Sequence, residues 1–83
     1  MTAHPSVVVF HAVNCRLCDR ALSTLRRLRD ELGFPYAEVD ISGDPDLEAT
    51  YREWLPVVEI DGERAFVYYV DEPALRRRLT VTN

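Results

Sequence analysis

Cys15 and Cys18 are the residues whose type and spacing most directly indicate chemistry. They stand at the junction between an apolar run, residues 7–10, and a long amphipathic segment. A Cys-x-x-Cys pair that follows a strand and opens a helix is typical of a thiol–disulfide redox site. Residues three apart on one helical turn lie on the same side, within the separation that a disulfide accepts. The spacing therefore predicts two sulfurs that can join and separate with little backbone movement.

The start of the helix should also activate one of the two sulfurs. Unpaired amides and the helix dipole favour a thiolate over a thiol, and the thiolate is the nucleophile in disulfide exchange. Arg16 acts in the same direction, whereas Asp19 opposes it. Because Cys15 is nearer the preceding loop, we predict that it attacks and that Cys18 resolves the mixed disulfide. His11 is either a further group that holds the thiolate or a solvent-facing histidine at a strand end.

Three other interpretations of the cysteine pair remain open. As a structural staple, a disulfide closing a loop of about four residues stabilises the fold by roughly 2 kcal/mol, less than a longer loop would. A metal or iron–sulfur site needs more ligands, and only His4 and His11 are available. Two inert buried thiols are the third possibility. We predict a redox pair and no metal site.

Length and composition indicate one small globular domain spanning residues 1–83, with residues 1–5 as a flexible lead-in. The chain has 83 residues, a hydrophobic fraction of 47% and a net charge of −4. An acidic balance argues against nucleic acid, and no apolar run near the N-terminus approaches a signal peptide or membrane span. Two closely spaced cysteines do not form the framework of a small secreted fold. We therefore expect a cytoplasmic monomer without nucleic-acid or membrane partners.

Sequence patterns predict the element order β-α-β-α-β-β-α. The predicted strands are residues 6–10, 35–40, 57–60 and 63–68, and the predicted helices are residues 15–32, 45–53 and 72–79. The first helix carries an apolar stripe made of Leu17, Ala21, Leu22, Leu25, Leu28 and Leu32. Its expected N-cap and stop are Asn14 and Gly33, and Asp44 and Asp71 cap the later helices. This order predicts an α/β fold with a four-stranded mixed sheet flanked by helices.

The chain resembles the thioredoxin fold, and more narrowly the small bacterial glutaredoxin-like proteins. The resemblance covers nearly the whole chain and is carried by the segment from Cys15 to Cys18 after strand one, Leu55-Pro56 before strand three, the Asp61-Gly62 hairpin and the closing helix. It implies that the bond before Pro56 is cis and faces the attacking cysteine. It also implies that the backbone of Leu55 pairs with an extended substrate, and that Cys15 attacks while Cys18 resolves.

Two features depart from the glutaredoxin pattern. Tyr68-Tyr69 stands where glutaredoxins carry the Gly-Gly pair beside which glutathione lies, and Arg16-Leu17 replaces the usual Pro-Tyr between the cysteines. We expect the two tyrosine rings to obstruct or reshape that groove, so glutathione is a doubtful reductant. Alternatively, the rings line a different pocket, or one of them belongs to the core. Trp54 either flanks the substrate cleft or packs on the second helix.

The leading hypothesis is a thiol–disulfide oxidoreductase of glutaredoxin or thioredoxin type with no bound cofactor. Its substrate would be a protein or small-molecule disulfide, and its reductant a cellular thiol. The candidate substrate-binding residues are Arg16, Leu55, Pro56, Tyr68 and Tyr69. One alternative is a thioredoxin-fold binding or scaffold domain with little turnover. Another is an iron–sulfur or metal carrier that uses Cys15 and Cys18 across a dimer.

Overall fold

The structure, a computed structural model, describes residues 5–80 in the predicted order of elements. The strands are β1 (Val7–His11), β2 (Tyr36–Asp40), β3 (Val57–Ile60) and β4 (Glu63–Val67). The helices are α1 (Arg16–Leu32), α2 (Pro45–Tyr51) and α3 (Glu72–Thr80), and a single 3-10 turn, Arg52–Trp54, follows α2. The flexible lead-in expected at residues 1–5 falls almost entirely outside the described residues.

The four strands form one mixed sheet in the order β2-β1-β3-β4. β1 pairs with β2 in parallel, since α1 carries the chain back to the same end of the sheet. β3 is antiparallel to β1, and β4 is antiparallel to β3. The Asp61-Gly62 hairpin is confirmed, and both residues have the positive φ of a tight two-residue turn, 54° and 83°. The predicted α/β fold is therefore confirmed.

Apolar side chains cover both faces of the central strand β1. Val7 and Val9 point to one face and Phe10 to the other, because side chains alternate along a strand. The first face packs against α1 and α3 through a cluster that includes Leu22, Leu25, Leu28, Phe34, Leu75 and Leu79. The second face packs through Ala12, Cys18, Ile41, Leu55 and Val57, and the Phe10 ring stacks on Tyr51 of α2 at 3.9 Å between centroids. Cys18 therefore belongs to the core.

Several element ends differ from the prediction. β1 lies one residue later than expected and includes His11, and the second helix gives way to the 3-10 turn after Tyr51. β4 ends at Val67, because Tyr68 has a left-handed backbone (φ 71°) that no strand can continue. The prediction of Asn14 as N-cap is wrong. Asn14 has φ 58°, and Cys15 occupies the cap position instead.

The apolar stripe of α1 is also corrected at its first member. Leu17 is 45% exposed, whereas Cys18 is fully buried. At 100° per residue, Leu17 lies on the flank of α1, and Cys18 faces the sheet with Leu25. The predicted stop is confirmed, since Gly33 has φ 76° and its N–H donates to the Arg29 carbonyl at 2.7 Å. Of the helices within residues 5–80, none has the length and apolar character that crossing a bilayer requires.

Candidate functional site

A disulfide joins Cys15 and Cys18 at the start of α1, with their Cα atoms 5.1 Å apart. Cys15 is the N-cap, with an extended backbone, and its Sγ accepts a hydrogen bond from the backbone N–H of Cys18 at 3.1 Å. Sulfur therefore takes the place that a serine or aspartate oxygen fills at most helix starts. The structure brings the two sulfurs together as their spacing predicts.

The two cysteines differ in their access to solvent. Cys15 is half-buried, whereas Cys18 has no exposed surface and packs among the apolar side chains on the second face of the sheet. Of the two cysteines, only Cys15 therefore has surface that a molecule in solvent can reach. Arg16 is exposed on the first turn of α1 and forms no ion pair with any residue between 5 and 80.

The loop that delivers Cys15 is tied to the chain just after β2. The Ile41 N–H donates to the carbonyl of His11 at 2.8 Å, and the Val13 N–H donates to the Ser42 hydroxyl at 3.2 Å. Ser42 is itself held because its N–H donates to a carboxylate oxygen of Asp40 at 2.8 Å. These bonds fix the entry to α1, so the position of Cys15 is set by the sheet edge as well as by the helix.

His11 lies opposite Asp40 in the parallel pairing of β1 and β2. The pKa of Asp40 is below its usual value, mainly because Ser42 donates hydrogen bonds to it, with a smaller contribution in the same direction from His11. Within residues 5–80, the His11 ring makes no hydrogen bond to either sulfur. The structure therefore places His11 beside the acidic groups of β2.

Leu55 and Pro56 lie against the cysteine pair. The peptide bond between them is cis, as the resemblance implies, and both side chains are buried. Leu55 belongs to the same core cluster as Cys18, and Cys15 packs against that cluster. Leu55 has an extended backbone, with φ −63° and ψ 143°.

Tyr68 is joined to the Pro56 segment through the backbone. Its N–H donates to the carbonyl of Pro56 at 3.0 Å and to that of Trp54 at 3.3 Å. The Tyr68 and Trp54 rings lie 6.0 Å apart between centroids, so Trp54 contacts this segment rather than only the surface of α2. The left-handed backbone of Tyr68 is one that favours glycine, the residue that glutaredoxins carry at this place. Tyr69 extends further into solvent and is 68% exposed.

A pocket of about 200 Å³ opens between α1 and the segment after β4. We call it the α1 flank pocket, and its lining residues are Leu17, Arg20, Ala21, Thr24, Tyr68, Tyr69 and Val70. The structure thus brings Tyr68 and Tyr69 together with Leu17, which lies between the cysteines. Both rings line this pocket and both are exposed, so neither belongs to the core. Arg20 and Thr24 were not predicted as site residues from the sequence. Their signal is helical spacing, since they follow Leu17 by three and seven residues.

No group of three or more histidine, cysteine, aspartate or glutamate side chains within residues 5–80 is arranged to hold a metal ion. The sulfurs of Cys15 and Cys18 would need ligands from elsewhere to complete a metal site. Within the described residues, the chemistry that this pair of sulfurs offers is of thiol-redox type.

The four-stranded mixed sheet, its helices and the adjacent cysteine pair define a thioredoxin-fold protein of thiol-redox type. The chain belongs to the glutaredoxin-like domain family (DUF836), whose family model matches residues 6–80. It is 34% identical over 79 residues to the uncharacterized protein Rv0508 of Mycobacterium tuberculosis and to the uncharacterized protein Mb0520 of Mycobacterium bovis, an alignment that covers 89% of this chain and 81% of each relative.

Solved structures resemble the fold over most of their length. The protein Ne2328 of Nitrosomonas europaea matches with a TM-score of 0.77 at 22% identity, covering 96% of each chain. The protein XcR50 of X. campestris matches with a TM-score of 0.69 at 28% identity, covering 86% of this chain and 91% of that one. A thioredoxin of Fasciola hepatica matches with a TM-score of 0.62 at 25% identity, covering 93% and 79%.

Proposed function

We propose that the protein is a thiol–disulfide oxidoreductase of glutaredoxin or thioredoxin type. The observation that carries this proposal is the asymmetry of the cysteine pair: Cys15 is accessible at the N-cap of α1, and Cys18 is buried one turn further along. The backbone N–H of Cys18 points at the Cys15 sulfur, where it favours the thiolate, and the Arg16 guanidinium adds positive charge nearby. The likeness to a thioredoxin supports the same chemistry.

The reaction has two exchange steps that balance. The thiolate of reduced Cys15 attacks one sulfur of a substrate disulfide, so a bond forms between that sulfur and Cys15 and the other substrate sulfur leaves as a thiolate. Cys18, once deprotonated, then attacks the Cys15 sulfur and releases the second substrate thiolate. The Cys15–Cys18 disulfide is the oxidised product, and two electrons have moved to the substrate. Two equivalents of a cellular thiol reduce the pair again and become a disulfide.

The surroundings of Cys15 suit an extended substrate better than a deep small-molecule cleft. The extended backbone of Leu55 borders the cysteine pair, and Tyr68 is bonded to Pro56 directly beside it. Tyr68 and Tyr69 stand where a glutathione groove would need small residues, so we propose that the reductant is a protein thiol or a thiol other than glutathione. A reducing compartment such as the cytoplasm suits this cycle, because the dithiol must be regenerated.

Single-turnover experiments with the reduced protein test the proposal. The wild type and the Cys15→Ser and Cys18→Ser variants are mixed with a disulfide-bonded peptide, and the products are identified by mass spectrometry. We expect the wild type to release two peptide thiols and form its internal disulfide. We expect Cys18→Ser to stop as a mixed disulfide through Cys15, and Cys15→Ser to lose the rapid reaction.

Absence of reaction in the wild type would contradict the proposal and favour a scaffold role, and a Cys15→Ser variant as reactive as the wild type would contradict the assignment of Cys15 as the attacking residue. Regeneration of the wild type is then compared side by side with glutathione and with a thioredoxin reductase system. Faster regeneration by glutathione would contradict the argument from the two tyrosine rings.

A further inference from the structure

The large apolar side chains that residues 5–80 expose are gathered around the disulfide. They are Val13 at 61%, Leu17 at 45%, Trp54 at 40%, Tyr68 at 44% and Tyr69 at 68%. Val13 belongs to the loop that delivers Cys15, and Leu17 lies between the cysteines. Trp54 and Tyr68 contact each other on the segments beside Pro56. Apolar side chains exposed together in this way mark a binding surface, whereas scattered ones do not.

The size of the α1 flank pocket limits what can enter it. Its volume of about 200 Å³ is below the range of roughly 300–1,000 Å³ that encloses a whole small-molecule ligand. Among its lining residues, Ala21 is buried and Val70 half-buried, whereas Leu17 and Tyr69 are exposed. These dimensions suit a single side chain that projects from a longer molecule lying across Cys15.

The charge at the pocket is positive although the chain as a whole has a net charge of −4. Neither Arg16 nor Arg20 is ion-paired with any described residue. In contrast, the next arginines along the helix are paired, Arg26 with Glu38 at 3.0 Å and Arg27 with Glu72 at 2.6 Å. The two free guanidinium groups lie one turn apart, so the face of α1 next to Cys15 is complementary to a carboxylate.

Asp19 is the carboxylate of α1 nearest to these arginines. At 100° per residue it lies on the opposite flank of the helix from Leu17, Arg20 and Thr24, on the side that faces β2. It therefore leaves the positive charge of Arg20 available at the rim of the pocket.

We infer that the α1 flank pocket is a specificity subsite that takes one apolar or aromatic side chain of a protein substrate, with an acidic residue of the same segment on Arg20. The inference rests on the proposed function and names its substrate class: a polypeptide disulfide whose cysteine has an aromatic and an acidic neighbour in sequence. Leu17, Tyr68 and Tyr69 contact the aromatic side chain. Arg20 favours substrates with an acidic residue at this position over substrates with a basic one.

Four peptides test the inference. They are identical except at two positions near their cysteine, which carry Phe or Ser and Glu or Lys in all combinations. Each peptide is supplied as a mixed disulfide with the same aromatic thiol, which leaves preferentially because its pKa is low. The second-order rate constant of the reduced protein is measured from release of that thiol. We expect the Phe and Glu peptide to react fastest and the Ser and Lys peptide slowest, about tenfold apart.

Variants of the protein then separate the contact with the aromatic side chain from the contact with the acidic residue. Arg20→Glu should reverse the preference for Glu over Lys, with a change of about fivefold in the ratio, because an exposed ion pair contributes modestly. Tyr69→Ala should remove most of the preference for Phe over Ser and leave the charge preference in place. Arg78→Glu is the matched control, since Arg78 is exposed on α3 and has no ion-pair partner within the described part of the chain.

The outcomes distinguish this inference from the proposed function. If neither the peptides nor a small uncharged disulfide reacts with Cys15, the proposed function fails. If all four peptides react at equal rates, the subsite fails and the proposed function stands. The subsite also fails if Arg78→Glu shifts the charge preference as much as Arg20→Glu, or if the preference for Phe survives in both Tyr69→Ala and Leu17→Ala. Circular dichroism verifies that these surface variants keep the fold.

Discussion

The backbone N–H of Cys18 donates a hydrogen bond to the Sγ of Cys15 at 3.1 Å, so the accessible cysteine caps the helix in which the other cysteine is buried. One contact therefore links the stability of α1 to the position of the Cys15 sulfur. The helix starts at Arg16, and the amide of Cys18 in its first turn donates to sulfur. The same amide would favour a negative charge on the Cys15 sulfur, as the proposed function requires.

The cap at Cys15 should be measurable as stability of the reduced protein. Under reducing conditions we expect Cys15→Ala to lower the free energy of unfolding by about 1 kcal/mol, because an amide of the first turn loses its acceptor. Cys15→Ser should stay within a few tenths of a kcal/mol of the wild type, because serine is a good N-cap. Urea unfolding followed by circular dichroism gives both values. Equal loss in the two variants would exclude a capping role.

Leu25→Ala and Leu17→Ala form a matched pair that tests which leucines of α1 belong to the core. Leu25 has no exposed surface, and we expect Leu25→Ala to lower the free energy of unfolding by about 2–5 kcal/mol. Leu17 is 45% exposed, and we expect Leu17→Ala to lower it by less than about 1 kcal/mol. Urea midpoints at pH 7 provide the comparison. A large loss in Leu17→Ala would show that Leu17 belongs to the core after all.

Acid should weaken the contact between α1 and β2. Arg26 donates two hydrogen bonds of 3.0 Å to the Glu38 carboxylate and Tyr36 donates a third, which together lower the pKa of Glu38 to about 2. A carboxylate with a lowered pKa stabilises the fold above its ordinary pKa of about 4.3 and loses that effect as the pH falls toward 2. We expect the stability of the wild type to fall across this interval.

Glu38→Gln should lower stability at pH 7 and make the acid dependence shallower. Urea midpoints between pH 2 and pH 7 measure both effects. Glu63→Gln is the control, because Glu63 is exposed on β4 and forms no ion pair with the other described residues. Parallel curves for the wild type and Glu38→Gln would contradict the assignment.

Tyr36 should titrate well above the ordinary range of tyrosine. Burial and the hydrogen bond to Glu38 raise its pKa to about 12. The folded state therefore favours the protonated Tyr36 hydroxyl. This hydroxyl contributes its full stabilisation below the ordinary tyrosine pKa of about 10, and the stabilisation is lost as the pH rises through the folded-state pKa of about 12. Phenolate formation can be followed by ultraviolet absorbance as the pH is raised. We expect the step near pH 12 to disappear in Tyr36→Phe. Loss of an earlier step instead would contradict this environment.

Local patterns determined most of the architecture. The Cys-x-x-Cys spacing, the leucine periodicity of α1, Gly33 and the Asp61-Gly62 turn each depend on neighbours in sequence, and the structure confirms them. The boundaries that the sequence misplaced depend on distant partners. Tyr68 leaves β4 because its backbone has φ 71°, although its N–H still bonds to the carbonyl of Pro56, twelve residues earlier.

The sequence by itself determined that two sulfurs open a helix after a buried strand, because helical spacing and strand burial are local properties. The sequence favoured Cys15 as the cysteine nearer solvent, but only the tertiary structure supplies the burial of Cys18, which comes from residues of β1, β3 and the segment before β3. It also decided that Leu17 faces solvent and forms a pocket with Arg20, Tyr68 and Tyr69. Leu17 and Arg20 are 48 to 52 positions away from the two tyrosines in the chain, and packing of α1 against the segment after β4 brings them together.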